Sequence, residues 1–373
     1  MIKHLRYFLS PLSLFICIIS VLKGNYYPIA FIILFDIIIA CGDLLFREDR
    51  DSFDNANPAF LNLSLYLNLP LLYILCSLVL FVMTDFNSQW YISLWNYFGV
   101  NVLESRANIT FLDMCILFIY TTPLFIATMG TNVGHELTHR KKNKFDMFVG
   151  NWLLALSWDC TFAIEHVYGH HKNVGSKEDP ATASRNENIY MFTLRSTFKA
   201  HKDAWKIEIS RLKRRSELPF SFKNKMIKGY IRSLSVYVMS FYIGGLNGAA
   251  IFVAWSIIAK FYLEAINYIE HYGLVRVANQ PVLPRHSWNS NHIMSSSLLY
   301  NLNRHSSHHE KANLKYWELK AYPNAPMLPY GYIQCLHMAF LTPFLYKNIM
   351  QSKLDEWDNN FASDDEKKIL STY

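Results

Sequence analysis

The sequence predicts an all-α protein: a polytopic bundle of about six membrane-spanning helices capped by a histidine-rich region on one side. Three observations carry this reading. Of the 373 residues, 51% are hydrophobic and only 17% charged, against about 25% charged in an average soluble domain. Several apolar runs approach or exceed the roughly 20 residues that a helix needs to cross a bilayer. Lysine and arginine are concentrated on one side of the topology that these runs imply.

The runs follow in order. "PLSLFICIISVL" lies within the first span, about 5–23, behind the basic start "MIKHLR". That start resembles the charged end of a signal peptide, but no small-residue cleavage site follows, so the segment is expected to stay as an anchor. "IAFIILFDIIIACGDLLF" gives a span at 28–46, and "AFLNLSLYLNLPLLYILCSLVLFVM" one at 59–83. "ITFLDMCILFIYTTPLFIATMG" gives a span at 109–131. "IRSLSVYVMSFYIGG" and "AAIFVAWSIIAKFYLEAI" give two more, at 230–246 and 248–269. Together they make a single membrane-embedded domain over 1–373.

Charge orients the bundle. The stretch after the fourth span, with "HRKKNK" and "RLKRR", holds half of all lysines and arginines. The positive-inside rule then makes 132–229 and 270–373 cytoplasmic. The segment 84–108 falls outside, with one arginine and many aromatics, as suits a membrane interface. The net charge of +7 belongs mostly to the inner face. It suits anionic lipid or an acidic protein. No motif points to nucleic acid. Six cysteines are scattered without a CxxC, so they read as small apolar residues. The acidic tail "LDEWDNNFASDDEKK" reads as a solvated end.

Nine of fourteen histidines fall into four groups. "HELTH" holds His135 and His139. "EHVYGHH" holds His166, His170 and His171. "NYIEHYG" holds His271, and "HSSHH" holds His305, His308 and His309. Helical residues three or four apart share a face, so each box can present two or more imidazoles to one point. For the second box to stay inside, the apolar stretch 147–164 must lie along the inner interface or dip in and return. All nine then converge at the cytoplasmic helix ends. Nine exceeds the coordination of one ion, and two ions with four or five nitrogen ligands each fit. Imidazole suits zinc, copper, iron and nickel alike. "HELTH" also matches the HExxH pattern of zinc peptidases, with Glu136 as general base. A non-catalytic metal transporter is a further reading, but histidines gathered at one membrane end do not form a midplane path.

Around these boxes the chain resembles the integral-membrane alkane 1-monooxygenases (alkane omega-hydroxylases), within the membrane fatty-acid desaturase and hydroxylase superfamily. The resemblance covers about 110–345 and rests on "HELTHR", "EHVYGHHKNVGSKEDPATA", "NYIEHYGL", "SWNSNH" and "LNRHSSHH", in that order. It implies a non-haem di-iron centre with His135, His139, His166, His170, His171, His271, His305, His308 and His309 as ligands. It implies use of O2 to hydroxylate the terminal methyl of an n-alkane to a 1-alkanol, in the cell (inner) membrane. Electrons would come from rubredoxin, reduced by an NAD(P)H-dependent rubredoxin reductase. The chain itself shows no dinucleotide fingerprint, CxxCH or cysteine cluster. Sister branches act on xylene-type methyl groups or desaturate and hydroxylate fatty acyl chains.

Metal-bound histidines usually donate their second N–H to a carboxylate or carbonyl. Glu264 and Asn267 precede His271 on its helix face, and Asp179 follows the second box in "KEDPATA". These three are the candidates for that supporting role. An ordinary turn at Asp179 and an interfacial Glu264 are the plainer alternatives.

Overall fold

The computed structural model describes residues 2–46, 48–51 and 56–371. The segment 46–58, between the second and third spans, lies partly outside them. Among the described residues there is no strand, only one isolated bridge between Asn289 and Met327. Five helices among the described residues are long and apolar enough to cross a membrane. They are α1 (Lys3–Lys23), α2 (Tyr27–Leu45), α3 (Pro58–Val82), α4 (Phe111–His139) and α5 (Lys225–His271).

The count is five rather than six because α5 contains both of the last two expected spans. It is not one rod. Gly245 has φ 62° and ψ −155°, a conformation that a residue with a Cβ resists. The chain folds back there. Lys260 Nζ reaches Asp159 at 2.9 Å, while Cys160 Sγ lies 3.8 Å from the Met226 carbonyl. Two points 34 positions apart in sequence therefore meet the same corner of the fold, which only a hairpin allows. Thr84 and Phe86 pack against the turn, and Ser88 Oγ donates to the Tyr242 carbonyl at 2.8 Å.

This places the two ends of the bundle. One end holds the turn of α5 and the segment after α3. The other holds the C-termini of α4 and α5, and both finish on a box histidine. After α4 the chain enters α6 (Lys144–Ala155), which packs back along the end of α4. Gly134 and Gly150 face each other so closely that a Cβ on either would stand 3.0–3.1 Å from the other's carbonyl oxygen. Small residues permit such close helix crossings. The chain reverses near Trp158, at φ 53°, and returns toward the second box. The apolar stretch 147–164 thus doubles back beside the end of α4.

Four of the six cysteines are buried, Cys115 is half-buried and Cys41 is exposed; all are free thiols. The C-terminal region differs from the solvated end expected of it. Trp357 and Glu366 are fully buried. The tail is a pair of helices, α7 (Pro343–Asn360) and α8 (Asp364–Leu370), packed against the cap.

Candidate metal centre

The nine box histidines meet in one place and divide into two groups. His135, His139, His166, His171 and His308 form the first; His170, His271, His305 and His309 form the second. Within each group the nearest ligand nitrogens all lie within 4.8 Å of one another.

The division differs from the expected face-sharing, and local backbone explains why. The pair His166 and His170, four apart, does not act together. Residues His166–His170 form a π-helical turn, in which hydrogen bonding runs i→i+5. That geometry brings His171 beside His166, Nε2 to Nε2 at 3.1 Å. His170 turns to the other group, 3.2 Å from His309 Nε2. A second π turn, Ile126–Thr131, precedes "HELTH" in α4. In the last box, His305 and His309 obey the i, i+4 rule at 2.9 Å. His308 crosses over to His135 at 3.0 Å and His171 at 3.1 Å.

Each of these close contacts joins two Nε2 atoms. A single Nε2 proton could bridge one such pair, but His135, His171, His305, His308 and His309 each face two other Nε2 atoms. Two nitrogens bound at right angles to one ion, each about 2.1 Å from it, stand about 3.0 Å apart. The observed 2.9–3.2 Å spacing is that of ligands around a shared cation. Protonation agrees. Burial, then repulsion from neighbouring imidazoles, pushes His166, His171, His305 and His309 well below the usual histidine range. The same two causes bring His308 to about 3. Both causes favour the neutral ring, the form a metal requires.

Two supports hold the second group. Asp179 is buried, and both its oxygens lie 3.0 Å from His170 Nδ1. Burial works to raise its carboxyl pKa, but the His170 ring and the Thr182 hydroxyl outweigh it and hold it low. His271 Nδ1 lies 3.3 Å from the His286 carbonyl. Both contacts leave Nε2 free to face the group.

Glu264 and Asn267 do not touch a histidine through hydrogen bonds. Glu264 accepts from Ser196 at 2.6 Å and from Asn267 at 3.1 Å, and pairs with Lys260 at 2.7 Å. Lys260 also pairs with Asp159. Glu264 closes a buried charge network one layer behind the imidazoles. Asn267 lines the cleft between the groups.

Glu270 was missed in the sequence. It is buried, lines the same cleft, and places Oε2 3.4 Å from His305 Nε2. The only signal was adjacency to His271, which Glu136 and Glu165 equally have to their own box histidines. Glu136 points elsewhere. Its Oε1 pairs with Arg140 at 2.6 Å and accepts the Tyr316 N–H at 3.2 Å, so it does not stand as a general base over the imidazoles.

The "LNRHSSHH" box is anchored by Arg304. This fully buried guanidinium pairs with Asp49 at 2.7 Å and donates to the carbonyls of Asp49, Asp51 and Leu319. A buried cation so paired locks the box to the connection that follows α2. The cleft between the groups has walls of Phe162, Leu263, Ile266 and Leu302 on its apolar side. Its free volume is about 10 Å³, room for about one water.

Residues 110–338 match the fatty acid desaturase family. The chain belongs to that family. It is 36% identical to an alkane 1-monooxygenase of Pseudomonas putida over 240 residues, 63% of this chain and 59% of that protein. An alkane 1-monooxygenase of Alcanivorax borkumensis is also 36% identical, over 61% of this chain and 57% of its own length. The chain thus spans less than two thirds of these curated relatives. A different relative matches end to end. The xylene/toluene monooxygenase hydroxylase component XylM of Pseudomonas putida is 27% identical over 98% of this chain and 93% of its own.

Proposed function

We propose that this chain is a membrane non-haem di-iron monooxygenase that hydroxylates the terminal methyl of n-alkanes to 1-alkanols. The observation that supports it best is the partition of nine converging imidazoles into a five and a four. Iron would be held by His135, His139, His166, His171 and His308 at one position, and by His170, His271, His305 and His309 at the other. Bound iron would supply the dioxygen activation that an unreactive methyl C–H bond requires.

The chain's own residues do the rest. Asp179 and the His286 carbonyl orient two ligand rings. Phe162 stacks on His166 at 4.4 Å and seals one side of the cleft. Leu263, Ile266 and Leu302 would offer apolar contact to the methyl end of a substrate, in place of the one water the cleft has room for. The reaction balances as RH + O2 + 2 e⁻ + 2 H⁺ → ROH + H2O. The two electrons come from a partner, which we assign to rubredoxin with its NAD(P)H-dependent reductase. The basic segments after α4 suit an acidic carrier. In this reading the protein sits in the inner membrane with its metal centre on the cytoplasmic side, and the substrate enters from the bilayer.

The end-to-end match to XylM favours a second reading, hydroxylation of an aryl methyl such as that of xylene. One experiment separates the two. The purified protein is supplied with ferrous iron, oxygen-18 dioxygen, rubredoxin, its reductase and NADH. Substrates are a ladder of n-alkanes, xylene and a fatty acyl thioester. Labelled 1-alkanols support the first reading. Labelled methylbenzyl alcohol alone assigns the chain to the aryl-methyl branch, and absence of label from every product rejects oxygenation.

A further inference from the structure

The tail helix α8 is tied to the metal centre through one residue. Glu366 is fully buried although its neighbours Asp364 and Asp365 face solvent. Its helix opens with a reciprocal cap: Ser363 N–H donates to Glu366 Oε2 at 2.8 Å, and Ser363 Oγ accepts the Glu366 N–H at 3.3 Å. The carboxylate then reaches residues 285 and 286. It accepts from Arg285 Nε at 3.0 Å and Nη2 at 3.2 Å, and from His286 Nε2 at 2.7 Å. Burial works to raise its pKa, but His286, the Ser363 N–H and Arg285 outweigh burial and hold it at about 2. Trp357, on α7, donates from Nε1 to the Arg285 carbonyl at 2.7 Å. Two buried side chains of the tail thus grip two adjacent residues of one loop.

His286 belongs to no histidine box, yet its geometry is fully specified. The Leu283 N–H donates to Nδ1 at 3.0 Å. Nδ1 is therefore the acceptor, and Nε2 carries the proton given to Glu366. With ring and backbone so fixed, the His286 carbonyl is presented to His271 Nδ1 at 3.3 Å. That contact places the His271 proton on Nδ1 and leaves Nε2 facing the four-histidine group, 3.1 Å from His305 Nε2. Second-layer partners of this kind set ring orientation and basicity at metal sites.

We propose that Glu366, acting through His286, is a positioning residue for the metal site formed by His170, His271, His305 and His309. The role crosses about a quarter of the chain and belongs to a segment whose composition suggests only solvent exposure. It rests on the reading of the nine histidines as metal ligands.

Cobalt(II) binding tests it without any turnover. The full chain is purified in detergent, stripped of metal and titrated with cobalt(II), with visible absorption and metal content recorded. Wild type is expected to take two ions. Glu366→Gln is expected to weaken one ion about 10–100-fold and leave the other unchanged. In a His271→Ala background the same substitution is expected to add nothing. Ser363→Ala removes the cap but keeps the carboxylate, and is expected to bind like wild type. The proposal is overturned if Glu366→Gln binds both ions with wild-type affinity. It is equally overturned if both ions weaken together or if Ser363→Ala reproduces the loss, since the tail would then be mere structural cover. A wild-type chain that takes up no cobalt overturns the metal reading itself, and this proposal with it.

Discussion

The two histidine groups are built to different standards. All four members of the smaller group are buried, and two of them have their outer nitrogens held, by Asp179 and by the His286 carbonyl. The larger group has one more imidazole but a looser frame. His139 and His171 are only half-buried, and among the described residues no carboxylate stands within ion-pair distance of its five rings. The smaller group is braced from outside by a carboxylate and a carbonyl. The larger has number without that bracing. A site with a spare ligand and partial exposure can open a position for a small molecule; a closed, braced site is suited to hold its ion.

The largest expected effect breaks this contrast directly. His309→Ala leaves three imidazoles in the smaller group, and His139→Ala leaves four in the larger. Both should abolish hydroxylation. Metal analysis should separate them: His309→Ala should retain about one ion per chain, whereas His139→Ala should retain two, one of them bound more weakly. Equal metal loss in both variants would show that the groups form one interdependent cluster.

Asp179→Asn is the next in size. It keeps the shape but removes the charge that holds His170 Nδ1–H. Outer partners of ligand histidines typically contribute 10–100-fold in metal affinity. A loss in that range is expected, confined to the smaller site and measurable by competition with a chelator. An unchanged affinity would mean that the bracing of the smaller site is geometric rather than electrostatic.

Leu263→Phe probes the wall that both groups share. Leu263 is buried and packs with Leu154 and Phe162 beside the cleft. A ring there crowds the apolar wall that the end of a hydrocarbon would meet. Discrimination by one or two methylene groups amounts to about 1–3 kcal/mol. The ratio of activity on the shortest accepted substrate to that on the longest should therefore rise about tenfold or more, with metal content unchanged. A uniform loss for all lengths would place the hydrocarbon elsewhere.

How much of this was legible in the sequence depends on the range of the interaction. The helical membrane bundle follows from apolar runs, which need no tertiary information. Spacing selected the nine histidines that the structure gathers, because each box is local. Their partition was not legible. It turns on a π-helical turn at His166–His170 that moves His171 into the place expected of His170. Nothing in "EHVYGHH" distinguishes an α from a π turn. Glu264 sits on the expected helix, but Lys260 and Ser196 claim its carboxylate. Asp179 faces His170 because a turn nine residues on folds back, which proximity in sequence made readable. Glu366 and His286 are 80 positions apart, and no local pattern joins them.

The smallest effects are expected at Glu136 and His201, and they test the contrast between side chains that face the rings and those that do not. His201 is exposed and hydrogen-bonds to Tyr230 at 2.8 Å, outside both groups, so His201→Ala should leave metal content and activity at wild-type values. Glu136 is more informative because it lies within "HELTH" itself. If that motif worked as in a zinc peptidase, Glu136→Gln would remove the chemistry. Here its carboxylate is spent on Arg140, which also holds Asn62 at 2.6 Å and Asp146 at 3.5 Å. Loss of one charged hydrogen bond from a network that keeps its other members costs about 1–3 kcal/mol. The expected result is a lower melting temperature with two ions still bound and hydroxylation retained. Loss of activity at full metal occupancy would return Glu136 to the reacting groups and would show that the polar side of the cleft extends beyond Asn267 and Glu270.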